Sequence, residues 1–409
     1  MTLVLILLLA VPALALALLL LLPATVLAYQ ALGYLFGKER LVPAQHPGQT
    51  DAPPPRVAVL MPAHNEAAGI GAVIAALRPE LGAGDRLLVV ADNCTDETAL
   101  VAQQAGAEVT VRDDAERRGK GYALDCGVRA LAADPPDVVV VIDADCVLES
   151  GSLRRLAAAC ARSGRPTQAT YLMDLPDSPS LKHRIAAFAW MLKAHFRALG
   201  SHRAGLPCPL MGTGMAFPWQ VIRSAPLASS NTVEDVQLGI DLALAGLAPQ
   251  YCPQAVVRSW FAASDAATNT QRTRWEQGHL MTLARQLPRL VRAMVVQRRW
   301  QLGAIAWDLS VPPLSFLLLA QLAVLLANLL AWWLTGLALG LVLALLGCGL
   351  VATVVAVAWF ALGRRVISAR QLLGVPAYVL GKLPMYFQLL AGRQQREWVR
   401  TERDNGGKP

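Results

Sequence analysis

Two aspartates in this 409-residue chain are spaced for binding a metal ion. Asp143 and Asp145 are separated by one residue and directly follow the apolar run 138–142. Two carboxylates in this arrangement could share a hard divalent cation such as Mg²⁺ or Mn²⁺, which takes few protein ligands and several phosphate oxygens. A solvated turn is the alternative, because aspartate is common in turns.

A third aspartate, Asp92, ends a second apolar run, residues 87–91. Its carboxylate could accept hydrogen bonds from a nucleobase or a ribose. Thr95 or Asp96 could instead open a helix beginning at Glu97, since both residue types are favoured at the N-cap. The two interpretations concern different residues and are compatible.

Residues 117–122 read Arg-Arg-Gly-Lys-Gly-Tyr and lie just before a predicted helix. Glycines allow close approach of the backbone, a helix N-terminus favours an anion, and Lys120 adds a positive charge. The segment therefore favours a phosphate group, with a solvated loop as the alternative. It does not fit the P-loop pattern, which excludes an ATPase reading.

Glu234 and Asp235 precede the helical run 236–245. A carboxylate at this place could act as a general base for an attacking hydroxyl. The alternative is a purely structural helix start, where negative charge is favourable.

Residues 271–275 read Gln-Arg-Thr-Arg-Trp, and on a helix Gln271, Arg274 and Trp275 share one face. Arginine can grip a diphosphate through two nitrogens, and tryptophan offers a flat surface to a sugar ring. An amphipathic helix at a membrane surface is the alternative.

The elements that must position these side chains alternate between strand and helix. Short apolar runs are predicted strands at 57–61, 87–91, 109–111 and 138–142, with helices at 67–77, 97–105 and 121–132. This alternation predicts a parallel sheet whose strands are buried on both faces. Ligands bind such sheets at the carboxyl ends of the strands, where His64, Glu66, Asp92 and Asp143 all fall.

The order of these motifs resembles that of the family-2 membrane glycosyltransferases of the cellulose, chitin and hyaluronan synthase type, including poly-N-acetylglucosamine synthases. The matching residues run from Asp92 through Asp143-Ala-Asp145 and Glu234-Asp235 to Gln271-Arg-Thr-Arg-Trp275. Residues 61–66 are similar to the strand-end P-x-x-N-E of that family, and Gly212-Thr-Gly214 to its acceptor-side loop. Val233 replaces the usual threonine before Glu-Asp.

The resemblance implies a GT-A (Rossmann-like) α/β fold and inverting, Mg²⁺- or Mn²⁺-dependent transfer from a UDP-sugar. Asp235 would be the catalytic base, and Asp145 with Asp143 would hold the metal. The nucleotide-sugar residues would be His64, Glu66, Asp92, Lys120 and Asp143. Residues for the acceptor and the departing diphosphate would be Gly212, Thr213, Glu234, Gln271, Arg272, Arg274 and Trp275.

Two products fit this resemblance. The favoured one is a growing oligo- or polysaccharide, as in exopolysaccharide synthesis, and the alternative is single transfer to a lipid acceptor, as in ceramide glucosyltransferase. The predicted spans are few for a long-chain synthase, so glycan export would need a homo-oligomer or a partner. A non-catalytic channel or scaffold subunit is a third class, which the intact set of acids disfavours.

The composition indicates a membrane protein. Hydrophobic residues make up 55% of the chain, charged residues 16%, and the mean hydropathy is +0.41. Spans are predicted at 1–36, 312–333 and 337–362, with a tight turn at 334–336 between the last two. A signal peptide is disfavoured because no basic residue precedes Lys38. Two short spans broken near Pro23 are the other alternative.

The net charge of +8 is concentrated beside the apolar runs. By the positive-inside rule, residues 37–310 and the C-terminus are cytoplasmic, and the protein is a multi-pass protein of the inner (plasma) membrane. The basic residues that set this orientation are Lys38, Arg40, Arg285, Arg289, Arg292, Arg298, Arg299, Arg364, Arg365 and Arg370. They form no stripe interleaved with aromatic residues, so nucleic-acid binding is disfavoured.

The predicted domains are an N-terminal span (1–36), a cytoplasmic catalytic domain (53–285), an amphipathic interfacial segment (286–310), a membrane hairpin (311–362) and a C-terminal part (371–409). Residues 371–392 are apolar but contain prolines and Lys382, which disfavours a span and favours a helix lying on the membrane. The basic tail, Arg393 to Arg403, would contact anionic lipid. The seven cysteines form no C-x-x-C pair and no zinc-ligand pattern.

Overall fold

The computed structural model describes residue 4 and residues 6–38, 53–229, 231, 233–262 and 264–391. This part of the chain divides into two compact units. The described residues of the first unit lie within 4–38, 179–204 and 272–391, and those of the second within 53–178 and 205–271. The predictions made for Arg40 and for the basic tail lie outside the described residues.

The second unit is built on one mixed sheet of eight described strands, in the order β3-β2-β1-β4-β7-β6-β8-β5. Strand β1 pairs in parallel with β2 and β4, and β2 pairs in parallel with β3. The strands are β1 Val57–Ala63, β2 Arg86–Asp92, β3 Glu108–Arg112, β4 Val138–Val141, β5 Val147–Leu148, β6 Thr167–Asp174, β7 Met215–Pro218 and β8 Gln250–Trp260.

The parallel half of this sheet confirms the predicted α/β class, but its edge strand β3 is not buried on both faces as predicted, since Val111 is 67% exposed. The other half differs from the prediction. Strand β7 is antiparallel to both β4 and β6, and β5 is antiparallel to β8. Strands β5 and β7 of this half have only two and four residues, and the longer strands β6 and β8 mix polar with apolar residues and contain no long apolar run. Periodicity alone therefore gave no signal for them.

Helices cover the parallel strands and are held close to them. The helix Lys120–Leu131 packs on β1 and β2, and a Cβ at Gly127 would lie 2.2 Å from Leu60 Cδ1. A larger residue at this position would push against Leu60 and Val90, so the glycine lets the helix lie close to the sheet. The described helices of this unit are Ile70–Leu77, Arg78–Glu80 (3-10), Thr98–Gln104, Lys120–Leu131, Ser152–Ser163, Trp219–Ile222, Glu234–Leu244 and the start of Asp265–Val296.

The described part of the first unit is helical. Its helices are Ile6–Ala10 (π), Val11–Phe36, Leu181–Met191, Leu192–Arg197 (π), Ala198–Arg203, the rest of Asp265–Val296, Gln301–Leu309, Leu314–Thr335, Leu339–Ala361, Gly363–Arg365 (3-10), Ala369–Leu372, Val375–Leu380 and Leu383–Leu390. Three helical stretches are long and apolar enough to cross a membrane, namely Ile6–Phe36, Leu314–Thr335 and Leu339–Ala361. Their 31, 22 and 23 residues compare with about 20 for a bilayer core.

The first span is a single helical stretch that continues through Pro23, so the alternative of two short spans is wrong. The turn between the other two spans lies two residues later than predicted. The helix Leu314–Thr335 runs through Leu334 and Thr335, and Gly336 ends it with a φ of +74°. A left-handed glycine directly after the last turn is a common way to end a helix.

Polar side chains join the three spans inside the first unit. Asn328 Nδ2 donates to Ala13 O at 3.0 Å, and Gln321 Nε2 donates to Leu20 O at 3.4 Å. Gly340 and Gly347 face these two side chains, since a Cβ at either position would lie within 3.1 Å of them. Small residues that admit a partner's polar group are typical of helix packing in membranes.

The C-terminal segment forms three short helices instead of the one predicted interfacial helix. They are Ala369–Leu372, Val375–Leu380 and Leu383–Leu390. The last two each carry a proline in their first turn, where its missing N–H is not needed. Whether they lie on a membrane surface stays a prediction.

Candidate nucleotide-sugar site

The polar residues that end the parallel strands lie along one edge of the sheet. Asp92 ends β2, His64 follows β1 and Asp143 follows β4 by two residues. Strands β2 and β4 flank β1, and neighbouring strands are 4.7–4.9 Å apart, so the ends of β2 and β4 are separated by about 10 Å. A distance of about 10 Å is suitable for a nucleotide whose nucleoside lies at the end of β2 and whose diphosphate lies at the end of β4.

Lys120 connects three segments of this edge. It is the first residue of the helix Lys120–Leu131, and its Nζ forms an ion pair with Asp143. The same ammonium group donates to Gly212 O at 2.9 Å. Lys120, the predicted phosphate-binding residue, is therefore paired with a carboxylate at the sheet edge.

The loop at Gly212 and Thr213 completes this cluster. Gly212 has a φ of +90°, which disfavours any side chain, and a Cβ there would lie 3.6 Å from Asp235 Oδ2 and 3.7 Å from Lys120 Nζ. Thr213 is fully buried, and its Oγ1 accepts a hydrogen bond from the Asp143 backbone N–H at 3.1 Å. The loop thus lies between the lysine and the predicted base.

Glu234 and Asp235 occupy the first turn of the helix Glu234–Leu244. Burial, together with the negative charge of Asp235, raises the pKa of Glu234 to about 7 against the opposing charge of Lys120. The carboxyl next to the predicted base thus holds a proton near neutral pH.

The acidic groups around Lys120 favour its charged form. Burial alone would lower the pKa of Lys120, but the carboxylates of Asp143, Glu234 and Asp235 outweigh burial and raise it. Its ammonium group is therefore charged at any physiological pH. Even when Glu234 holds its proton, the two aspartates outnumber the one cation, and an excess of negative charge suits a metal ion.

Three neighbouring residues offer the donor atoms for such an ion. Ligand atoms of Asp143, Asp145 and Cys146 lie within 4.8 Å of one another. Burial raises the pKa of the Cys146 thiol to about 12, so the sulfur stays protonated and donates to Asp145 Oδ1 at 3.2 Å. The donor set is thus two hard carboxylates, which fits Mg²⁺ or Mn²⁺ better than a thiophilic metal.

Asp92 has a partner that the sequence analysis missed. Arg112, the last residue of β3, donates from Nη1 to Asp92 Oδ1 at 2.5 Å, and Asn93 Nδ2 donates to the same oxygen at 3.0 Å. Within the described chain the hydrogen bonds of the Asp92 side chain all fall on Oδ1. The rule that flagged His64 and Asp143, a polar residue at the end of a parallel strand, applies equally to Arg112.

The loops after β1 and β2 hold each other in place. His64 Nδ1 is 2.7 Å from Asp92 O, and the Glu66 backbone N–H donates to Thr98 Oγ1 at 2.7 Å. Asp96 Oδ1 accepts from the Thr98 N–H at 3.0 Å at the start of the helix Thr98–Gln104. The helix begins one residue later than predicted and its N-cap is Glu97, so Asp96 bonds from the residue before the cap instead of being the cap itself.

The Gln-Arg-Thr-Arg-Trp motif lies on the helix Asp265–Val296, and the division between the units falls between Gln271 and Arg272. Gln271 Oε1 is buried in the second unit without a hydrogen-bond partner among the described residues. In the first unit Arg272 Nη1 donates to Tyr378 Oη at 2.6 Å, and the rings of Trp275 and Trp190 lie 5.1 Å apart. Arg274 is half-buried.

Comparison with known proteins places these residues in one family. Residues 54–278 match the family model described as glycosyltransferase like family 2, which covers more than half of the chain. All the predicted site residues, from His64 to Trp275, fall inside the matched range.

Characterised and uncharacterised relatives match over shorter stretches. An uncharacterized glycosyltransferase of Mycobacterium bovis is 45% identical over 102 residues, 25% of this chain and 42% of the relative. Glucosyl-3-phosphoglycerate synthase of Mycolicibacterium smegmatis is 37% identical over 97 residues, 22% of this chain and 31% of the synthase. The chain thus matches less than half the length of these relatives.

A solved structure shares the fold over most of the chain. The mannosyltransferase of Pyrobaculum calidifontis, in complex with GDP-Man and Mn²⁺, superposes with a TM-score of 0.55. It covers 93% of this chain and 100% of its own, at 16% identity. Together with the family match, this confirms the predicted GT-A fold, while the synthase subtype stays a prediction.

The raised pKa of Glu234 predicts how stability depends on pH. A carboxyl whose pKa is higher in the folded than in the unfolded protein costs stability once it ionises. We expect the thermal midpoint of the detergent-solubilised protein to fall as pH rises from about 4.5 to about 7, and E234Q to remove most of that fall. An equal decrease in both proteins would show that Glu234 is not the titrating group.

Proposed function

The chain belongs to glycosyltransferase family 2, and on that premise we propose that it transfers a hexose from a UDP-sugar to an acceptor hydroxyl. The observation that carries the proposal is the cluster at the sheet edge. A cation, carboxylates that could bind a metal, and a base lie within reach of one another in this cluster. They come from Lys120, from Asp143 after β4, from the loop at Gly212 and from the start of the helix Glu234–Leu244.

We assign the uridine to the end of the edge formed by β1 and β2. Asp92 Oδ2 is left for a nucleobase or ribose donor because Arg112 and Asn93 bond to Oδ1. Arg112 would hold the carboxylate in one orientation. His64 and Glu66, on the neighbouring loop, are proposed to line the same nucleoside.

Asp143 and Asp145 would hold the divalent cation. When bound, Mg²⁺ or Mn²⁺ neutralises charge on the diphosphate leaving group. Lys120 would add a second positive charge at the same place, at the N-terminus of its helix, where anions are favoured. Its ion pair with Asp143 keeps the ammonium group in position before the donor binds.

Asp235 is proposed as the general base. Its carboxylate would take the proton from the acceptor hydroxyl as that oxygen attacks the anomeric carbon from the face opposite the leaving UDP. The sugar–phosphate bond breaks as the new glycosidic bond forms, so the configuration inverts. Glu234, which holds its own proton near neutrality, would stay out of this transfer.

The motif residues Gln271, Arg274 and Trp275 are proposed, from the family resemblance, to act on the diphosphate and the acceptor sugar. The unpartnered buried oxygen of Gln271 supports a ligand contact, because a buried polar atom normally has a partner. Arg272 bonds to Tyr378 and Glu276 in the first unit, which favours a structural role over its predicted diphosphate contact.

The acceptor proposed from the sequence is a growing oligo- or polysaccharide. One observation favours the second candidate, a lipid acceptor. The three spans are joined by the buried side chains of Gln321 and Asn328, which occupy the space between the helices. A glycan could not pass through that interior, whereas a lipid acceptor needs no passage.

We further propose that the spans place the protein in the inner membrane with the sheet-containing unit on the cytoplasmic side, as the distribution of arginines predicts.

The size of the product separates the two acceptors. Purified protein incubated with labelled UDP-sugars and Mn²⁺ would yield a ladder of oligomers in the first case. A single glycolipid, formed only when lipid is added, would establish the second. Failure to release UDP with any donor or acceptor would contradict the proposed function itself.

Replacing the proposed base tests its role directly. We expect D235N to bind UDP with Mn²⁺ as the wild type does but to lose transfer by about 10²–10⁴-fold, the usual contribution of a general base. The matched control is D241N on the same helix, where Asp241 bonds to Gln237, and it should keep its activity. Normal turnover by D235N would remove Asp235 from this role.

A further inference from the structure

A buried polar network in the first unit surrounds Glu276, the residue that follows the Gln-Arg-Thr-Arg-Trp motif. Glu276 forms an ion pair with Lys382 through Oε1, and Oε2 accepts from Tyr386 Oη at 2.7 Å and from Ser315 Oγ at 3.2 Å. Arg272 Nη2 lies 3.3 Å from Oε1. Glu276, Lys382, Tyr386 and Ser315 are each less than a tenth exposed.

The partners of Glu276 come from separate elements. Lys382 and Tyr386 belong to the C-terminal segment 369–391, and Ser315 lies in the first turn of the span Leu314–Thr335. Tyr378, in the same C-terminal segment, accepts from Arg272 and lies under both cations, 5.4 Å from each charged group to the ring centre. The network therefore ties the motif helix to a span and to the C-terminal helices.

Buried ion pairs contribute little to stability on balance, because two charges must leave water. Their best-established use is to fix one register between elements that apolar packing would leave free to slide or rotate. Here the fixed element is the turn of helix that carries Arg274 and Trp275. A rotation of that helix would move both side chains together.

We propose that Glu276, held by Lys382 and Tyr386, is a positioning residue that sets Arg274 and Trp275 for sugar transfer. The proposal rests on the proposed function, since it presumes that these two residues act on the diphosphate and the acceptor. It gives the C-terminal segment a part in the reaction without any contact with substrate.

The charges around Lys382 add a readout that depends on pH. Burial, and then the positive charge of Arg272, lower the pKa of Lys382 to about 8 against the attraction of Glu276. Burial would raise the pKa of Glu276, but Lys382 and Arg272 outweigh it and lower it, so this group stays ionised. Tyr378 and Tyr386 have raised pKa values and stay protonated. Above about pH 8 Glu276 therefore loses its ammonium partner.

The experiment compares K382M, K382R and Y386F with wild type in steady-state kinetics and in UDP·Mn²⁺ titrations. We expect K382M to lower kcat by roughly ten- to a hundredfold, as a misplacement of reacting groups does, with UDP affinity within about twofold of wild type. Y386F, which removes one hydrogen bond and keeps the ring, should lower kcat less. R370Q, an exposed change in the same segment, is the control and should match wild type.

K382R separates positioning from simple stabilisation. Because a guanidinium group does not lose its proton in this range, kcat of K382R should stay high above pH 8, where that of the wild type falls. Wild-type kcat in K382M and Y386F, or an alkaline decline that is identical in K382R, would overturn the proposal. Absence of sugar transfer by the wild type with every donor and acceptor would instead overturn the proposed function.

Discussion

One ammonium group holds together the acidic edge on which the proposed site depends. Lys120 lies among Asp143, Glu234 and Asp235, which reach it from a strand end and from a helix start far apart in sequence. Without this cation the acids would repel one another in a partly buried place, where charge interactions are stronger than in water. The glycines beside it, Gly119 and Gly212, both have positive φ values that let the backbone approach.

The parallel half of the sheet could be predicted because its signals are local. Strands β1, β2 and β4 are built on continuous apolar runs that end at polar residues, so Asp92 and Asp143 were expected at one edge, and the order of β2, β1 and β4 places them there. The other half, in which β6 and β8 pair in parallel while β5 and β7 run antiparallel to their neighbours, could not be predicted in the same way. Its strands β5 and β7 have two and four residues and are defined by their long-range partners.

The pairing of charged residues was the other feature that could not be predicted from the sequence. Arg112 and Asp92 are 20 residues apart, and Glu276 and Lys382 are 106 apart, so neither pairing follows from spacing. The sequence analysis took Lys382 as evidence against a span at 371–392, and the structure shows what it could not, that this lysine pairs with the buried carboxylate of Glu276. Conversely, the family motif predicted a ligand role for Arg272, and the structure shows it engaged with Tyr378 and Glu276.

The central claim is that the sheet edge around Lys120 binds a nucleoside diphosphate together with a divalent metal ion. A calorimetric titration of UDP into the wild type and K120Q, each with saturating Mn²⁺, tests it most directly. We predict measurable binding to the wild type and at least tenfold weaker binding to K120Q, since loss of a charge-assisted hydrogen bond of this kind costs about 1.5–3 kcal/mol. Equal affinity in the two proteins, or no binding to the wild type, would contradict the account.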